Sequence, residues 1–158
     1  MLMLWVVLSA LGQDAVDNPE YKGWAAFKAG SSVTYKVHIG DTVAGEQKMT
    51  LKSVGDEEVV LATEMSAAAG RSFDRKVPAK VPAEKAPKDV KEGQEEIEVG
   101  GRTLKCATRE FDFTATNNKK IHMKVWISDE VPGKAARTDV TVEGAPKNSL
   151  VASSWEKK

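Results

Sequence analysis

The sequence predicts a mainly β protein built on a single, strongly bent antiparallel sheet of about nine meander strands, a half-barrel or open barrel with one short N-terminal helix. Three observations predict this fold class. Apolar and polar residues alternate over several runs of the 158-residue chain, which is the pattern of half-buried strands. Glycine, asparagine and proline mark turns between those runs. The one stretch that suggests a helix, PEYKGWAAFKAG, comes before the first alternating run.

The first residues, MLMLWVVLSALG, form an apolar run that is too short to span a bilayer and is followed by polar residues. We predict a signal peptide over residues 1–12, cleaved after Gly12 or after Ala10, and a single β domain over residues 13–158. The protein is then exported, periplasmic or extracellular, with no transmembrane segment after cleavage. The alternative is that this run forms a buried N-terminal strand.

Four strands are predicted in the N-terminal half, after a helical segment in which Trp24 plugs the core. The predicted strands cover residues 32–39, 46–54, 57–66 and 71–77. Short turns join them, so a meander is expected, with Leu51 opposite Val59 or Leu61. Phe73 is expected to face inward.

Residues 78–93, PAKVPAEKAPKDVKEG, combine prolines with many charged side chains. Proline removes backbone donors and the charged groups resist burial. We therefore predict an extended, exposed loop or linker between the two halves of the sheet. A long excursion of this kind is sometimes functional, but mobility is the simpler interpretation.

Gly100-Gly101 lies between two alternating runs and predicts a two-residue hairpin, because a primed turn needs a positive φ at both central residues. This turn sets Ile97 opposite Leu104, so two apolar side chains meet on one face. Cys106 follows on the same side of its strand. It is the only cysteine, which excludes an internal disulfide, and we interpret it as a small buried hydrophobic residue.

The next turn, in the sequence NNK, allows two registers. A two-residue loop would place Phe113 opposite His122 and bury nothing coherent. A three-residue loop places Phe113 opposite Met123 and Phe111 opposite Val125. We predict the second register because apolar residues then face each other.

The strand before this turn contains an inconsistency. Leu104 and Cys106 have even numbers, whereas Phe111 and Phe113 have odd ones. Successive side chains of a strand point to opposite faces, so a regular strand cannot place all four on one face. We therefore predict a bulge or sharp bend within residues 107–110.

The strand after the NNK turn has an apolar face of four alternating residues, Ile121, Met123, Val125 and Ile127. Trp126 is thereby predicted on the polar face. The sequence VPG follows this strand, and proline and glycine at the second and third positions predict a type II turn with Gly133 at positive φ. Two further strands are predicted over residues 135–143 and 148–155.

Composition and motifs argue against several functions. The chain has 23 basic and 23 acidic residues, so nucleic acid is not an expected partner. The sequence contains no glycine-rich phosphate loop, no histidine and cysteine spacing typical of zinc sites, and no nucleophile elbow. We therefore expect no catalytic residues, no metal site and no cofactor, and we do not expect an enzyme.

Two segments resemble a known group of proteins. In the first segment the resemblance lies in Gly101, Leu104 and Cys106. In the second segment it lies in Trp126, Ser128, Asp129, Val131, Pro132 and Gly133. The pair resembles small exported bacterial proteins of unknown function such as the TapB-like domains. It is also similar to the curled antiparallel half-barrels typified by the LolA/LolB lipoprotein carriers. That resemblance implies a concave face that can hold acyl chains, although this chain has fewer helices.

Two classes of function fit these predictions. In the first, the domain is a non-catalytic binding module whose concave face takes a small apolar ligand. The residues predicted on that face are Val33, Tyr35, Met49, Leu61, Phe111, Phe113, Met123 and Val125. A cavity of several hundred Å³ would favour this class.

In the second class, the same residues simply pack a closed core. The protein is then a structural or protein-interaction domain of the cell envelope. Its envelope protein partner would bind the outer surface, around Lys124, Trp126 and the loop at 78–93. A dry interior with an exposed apolar patch would favour this alternative.

Overall fold

The computed structural model describes residues 14–66 and 70–158. Within these residues the chain is mostly β-structure, with one α-helix and one short 3-10 turn. The predicted signal peptide, residues 1–12, lies outside the described residues.

The elements follow in chain order as β1 (Ala15–Asp17), α1 (Pro19–Ala25), β2 (Ser32–Ile39), β3 (Thr42–Val54), β4 (Glu58–Met65), β5 (Arg71–Pro78), β6 (Lys80–Pro82), a 3-10 turn (Ala83–Lys85), β7 (Lys91–Val99), β8 (Arg102–Thr114), β9 (Lys120–Ile127), β10 (Ala135–Val142) and β11 (Asn148–Glu156). Nine strands form one antiparallel sheet in the order β5-β4-β3-β2-β11-β10-β9-β8-β7, and β1 pairs with β6 in a separate ribbon. The predicted fold class is confirmed. The sheet is open, because its edge strands β5 and β7 do not pair with each other.

The sheet consists of two meanders, β2 to β5 and β7 to β11, which meet where β2 pairs with β11. Leu51 lies opposite Leu61, one of the two partners expected for it. Phe73 lies opposite the buried Thr63 and therefore on the predicted inward face, but its side chain is 45% exposed. Phe73 lies on the edge strand β5, where no further strand is present to cover a large side chain.

The proline-rich stretch is not wholly a loop. β6 pairs with β1, the 3-10 turn follows, and β7 begins at Lys91, inside the range predicted as a loop. The ribbon tolerates Pro82 because a proline at the end of an edge strand removes no required ladder donor. The stretch also connects the two outer edges of the sheet, β5 and β7. We call residues 79–90, which make this connection, the strap.

The hairpin at Gly100-Gly101 is confirmed. Both glycines have a positive φ, 57° and 72°, and Ile97 lies opposite Leu104.

The predicted register of the next hairpin is wrong by two residues. Phe111 lies opposite Met123, and Phe113 lies opposite Ile121. The loop has five residues, 115–119, and Asn118 within it has a φ of 63°. A slip of two residues leaves every side chain on its own face, so the alternation alone does not distinguish the two registers.

Paired residues of neighbouring strands lie on the same face of a sheet, so the ladders assign each side chain to a face. Val125 pairs with Thr138, Thr138 with Leu150, and Leu150 with Val37. We call this continuous side of the sheet the strap face. All eight residues of the predicted ligand face belong to it, namely Val33, Tyr35, Met49, Leu61, Phe111, Phe113, Met123 and Val125.

The predicted bulge within residues 107–110 is absent, because β8 pairs with both neighbours there without a shift of register. Leu104 and Cys106 therefore lie on the opposite face from Phe111. The strand needs no bulge, because apolar residues at even and at odd positions are buried on opposite faces of the sheet.

Trp126 lies on this second face, opposite Thr108, and is 6% exposed. Its predicted position on a solvated polar face is therefore wrong. The β7–β8 turn packs against β11, since a Cβ atom on Gly100 would lie 2.7 Å from the carbonyl oxygen of Ser153. The burial of Trp126 was not predicted from the alternating pattern, because the prediction allowed for only one buried face of the sheet.

The helix α1 begins at the predicted proline. Asn18 is its N-cap, and the side-chain Oδ1 accepts a hydrogen bond of 3.0 Å from the N–H of Glu20. Trp24 is 2% exposed, which confirms that it plugs the core.

The turn after β9 has the predicted type II features. The Lys134 N–H donates a 2.7 Å hydrogen bond to the Val131 carbonyl oxygen, and Gly133 has a φ of 78°. Trp24 packs directly on this glycine, because a Cβ atom there would lie 2.6 Å from Cε2 of the indole. The turn and the helix can therefore pack this closely only because residue 133 has no side chain.

The contact between Trp24 and Gly133 yields a stability prediction. Gly133→Ala should lower the free energy of unfolding by about 3 kcal/mol, from left-handed strain and from overpacking against the indole. Gly144→Ala is the matched control, because Gly144 has a φ of 77° and no atom lies within 4 Å of the point where its added methyl group would sit. It should lose only about 1 kcal/mol. Urea unfolding measures both, and equal losses would contradict the packing argument.

Candidate functional site

Four residues of the predicted ligand face are sealed inside the protein. Val33, Tyr35, Met49 and Leu61 are all less than 7% exposed. The Tyr35 hydroxyl donates a 2.8 Å hydrogen bond to the carbonyl oxygen of Ala135, so its polar atom is satisfied. Burial, and secondarily the charge of Glu20, raises the pKa of Tyr35 well above its ordinary value. This half of the strap face is a packed core.

The other four residues remain accessible. Phe111, Met123 and Val125 are half-buried, and Phe113 is 40% exposed. The rings of Phe111 and Phe113 lie 6.3 Å apart, centre to centre. The structure therefore brings Phe111, Met123 and Val125 together at one place on the strap face, with Phe113 beside them.

Phe111, Met123 and Val125 line a cleft of about 590 Å³. Its floor is the strap face of β8, β9 and β10, and its roof is the start of α1 and the strap. The apolar floor consists of Phe111, Met123, Val125 and Ala135, and the apolar roof consists of Pro19, Val81, Ala86 and Pro87.

A second cleft of about 610 Å³ continues the first along β8. Both clefts are lined by Phe111 and Met123 of the sheet and by Ala86 and Pro87 of the strap. Phe113 lines the second cleft and not the first. The two clefts thus form one groove that runs beneath the strap, and we call it the strap groove.

The acidic residues at the mouth of the groove are already paired. Glu20 accepts two hydrogen bonds from the Arg75 guanidinium, one of them 3.1 Å long. Asp17 forms ion pairs with Lys22, at 2.5 Å, and with Lys80. Hydrogen bonds from Lys22 and then Lys80 hold the pKa of Asp17 at about 2.

Arg109 lies on the floor of the groove, opposite Val125. Its Nε atom is buried and has no hydrogen-bond partner among the described residues. The Oε1 atom of Glu92 is 3.8 Å from it, which is too far for a hydrogen bond. Arg109 was not singled out from the sequence, although its odd number places it on the same face as Phe111.

A charged cluster lies on the opposite face of the sheet from the groove floor, and its Asp112 also borders the second cleft. His122 Nδ1 is 2.6 Å from Asp112 Oδ1, and Nε2 is 2.9 Å from Glu110 Oε1. The hydrogen bond to Asp112 is the largest cause that raises the pKa of His122 above its ordinary value of 6.5. Both ring nitrogens can donate only in the protonated imidazolium, so the two carboxylates favour that form.

Trp126 is not exposed for contact with a protein partner. Its Nε1 donates a 2.7 Å hydrogen bond to Glu95 Oε2, and Lys124 Nζ lies 2.5 Å from the other oxygen of Glu95. Lys124 and Arg137 also lie over the indole, at 4.7 and 4.9 Å from the ring centre. The hydrogen bonds from Lys124 and then Trp126 lower the pKa of Glu95. This cluster holds β7, β9 and β10 together.

Two further observations bear on chemistry. Cys106 is 2% exposed, and burial raises the pKa of its thiol, which disfavours the reactive thiolate. Within residues 14–66 and 70–158, no three His, Cys, Asp or Glu side chains are arranged to hold a metal ion.

No helix in the described part of the chain has the length and hydropathy needed to cross a membrane.

Comparison with known proteins adds no family assignment, because no family model and no curated protein matches the chain. The similarity to the TapB-like and LolA/LolB proteins stays a prediction. The function is therefore argued from the geometry of the strap groove.

The histidine cluster generates a pH prediction. Because the pKa of His122 is raised on folding, the stability that its pair with Asp112 contributes is fully present below about pH 6.5 and is lost as the pH rises through the raised value. Asp112→Asn should lower the pKa of His122, measured by NMR titration of the imidazole protons. It should also destabilise the fold at pH 6 more than at pH 9.

Glu110→Gln serves as the comparison. It should lower the pKa of His122 by less, since the hydrogen bond to Asp112 is the larger cause. An unchanged titration of His122 in the Asp112→Asn variant would show that the hydrogen bond is not formed in solution.

Proposed function

We propose that this protein is an exported, non-catalytic binding domain that holds a small apolar ligand in the strap groove. One observation carries the proposal. Phe111, Met123 and Val125 line an accessible cleft of about 590 Å³, whereas Val33 and Leu61 of the same sheet face are fully buried.

The size and lining of the groove support this function. Ligand pockets of proteins usually enclose between about 300 and 1,000 Å³ and combine apolar walls with a few polar groups. The groove has apolar side chains on both floor and roof, and polar groups at its mouth. Water in such a groove makes few hydrogen bonds, so its displacement by an apolar molecule is favourable.

The route of the strap supports reversible binding. The strap roofs the groove with only a two-stranded ribbon and a 3-10 turn, which are short elements with few ladder hydrogen bonds. Such an element opens at a lower free energy than the central strands of the sheet. The ligand can therefore enter without disruption of the sealed half of the strap face.

The alternative is a structural or protein-interaction domain. Its specific support is Phe73, which is 45% exposed on the unpaired edge strand β5. An exposed aromatic side chain on a free edge is suited to a partner that adds a strand. The basic residues Arg71 and Lys76 on the same strand oppose this function, since charged edges discourage strand addition.

Native mass spectrometry of the protein purified from its own source tests the proposal. We expect an added mass that is lost on denaturation and that extracts into organic solvent. The intact mass of the denatured chain also reports the N-terminus and so tests the predicted cleavage.

Met123→Glu should abolish the added mass, because an unpaired carboxylate on the groove floor is costly to desolvate beside an apolar ligand. Val43→Glu is the matched control, because Val43 is 54% exposed and lies outside the groove. A bare mass for the wild-type protein, together with capture of a partner that Phe73→Ser abolishes, would instead support the interaction domain.

A further inference from the structure

We propose that the ligand is an anionic amphiphile, whose charged headgroup binds Arg109 and whose aliphatic tail lies along the groove past Phe111 to Phe113. This inference rests on the proposed function, since it names the class of ligand that the groove takes.

Arg109 supplies the headgroup site. It carries a full positive charge, and its buried Nε atom has no hydrogen-bond partner among the described residues. Nε itself is covered by protein atoms, but 31% of the Arg109 side chain is exposed. An anionic headgroup in the cleft can pair with this exposed part through charge-assisted hydrogen bonds. Glu92, 3.8 Å away, has a side chain that is 74% exposed, so it balances the charge only weakly.

The charges around the first cleft are compatible with an anion at Arg109. Asp17 and Glu20 line the mouth, but each is already paired with cations outside the groove, Asp17 with lysines and Glu20 with Arg75. Lys85 of the strap adds a positive charge to the lining, and Arg109 is the charged residue on the floor, balanced only weakly by Glu92.

The direction of the tail follows from the geometry of β8. Arg109, Phe111 and Phe113 are two residues apart in one strand, so they form a line on the strap face. At about 3.4 Å per residue, this line is about 14 Å long. Met123 and Ile121 lie opposite Phe111 and Phe113 and continue the apolar track on β9. A straight tail on this track would also cover Phe113, which is 40% exposed without a ligand.

The test compares two probes of equal chain length, dodecanoate and dodecanol, by isothermal titration calorimetry at pH 8 on the full chain. We expect the wild-type protein to bind dodecanoate about ten- to a hundredfold more tightly than dodecanol, as charge-assisted hydrogen bonds to a carboxylate typically provide. Arg109→Gln should remove this preference and leave the affinity for dodecanol unchanged.

Lys105→Gln is the matched control, because it removes one positive charge from the same strand at a side chain that is 89% exposed. It should leave both affinities unchanged, and thermal melting establishes that each variant is folded. The role of Arg109 would be overturned if the wild type bound both probes equally, or if the preference for dodecanoate survived Arg109→Gln. Either result would still support the groove as a site for apolar ligands. Absence of binding by either probe would overturn the groove as a binding site as well.

Discussion

The pairing of β2 with β11 in the centre of the sheet is the constraint on which the rest of the structure depends. It joins the two meanders, and it leaves β5 and β7 at opposite edges although they are nearly consecutive in the sequence. A flat sheet of nine strands would separate these edges by about 38 Å. The twelve residues of the strap could reach about 40 Å only if fully extended, and they include a 3-10 turn. The sheet therefore has to curl, and the strap has to cross its curled side.

The groove is a consequence of this crossing. Where α1 and the turn at Gly133 lie on the strap face, Trp24 fills the space and the core is closed. Farther along, the strap and the first residues of α1 lie above Phe111 and Met123, and the strap there has small or cyclic side chains at Ala86 and Pro87. These do not reach far enough to fill the space above the aromatic floor. One sheet face thus serves as a packed core at one end and as an accessible apolar surface at the other.

Much of the sheet could be predicted from the sequence because its strands alternate and its turns are short. Gly100-Gly101 fixed its hairpin, since a two-residue primed turn permits one register. The five-residue loop around Asn118 did not, because a slip of two residues changes no face. Trp126 was misplaced because alternation identifies two faces but not whether one or both are buried. The strap could not be predicted, since β1 and β6 are three residues long and pair across the chain without any periodic signal.

The most direct test of ligand binding in the strap groove is the response of the methionine methyl groups to an apolar ligand. The chain has five methionines, and selective methyl labelling gives each a resolved NMR probe. Met123 lies on the floor of the strap groove, whereas Met49 is in the sealed half of the same face. On titration with dodecanol, we expect the Met123 methyl signal to shift and to show cross-relaxation with the ligand, while Met49 does neither. Binding of dodecanol without any change at Met123 would contradict the strap groove as the binding site.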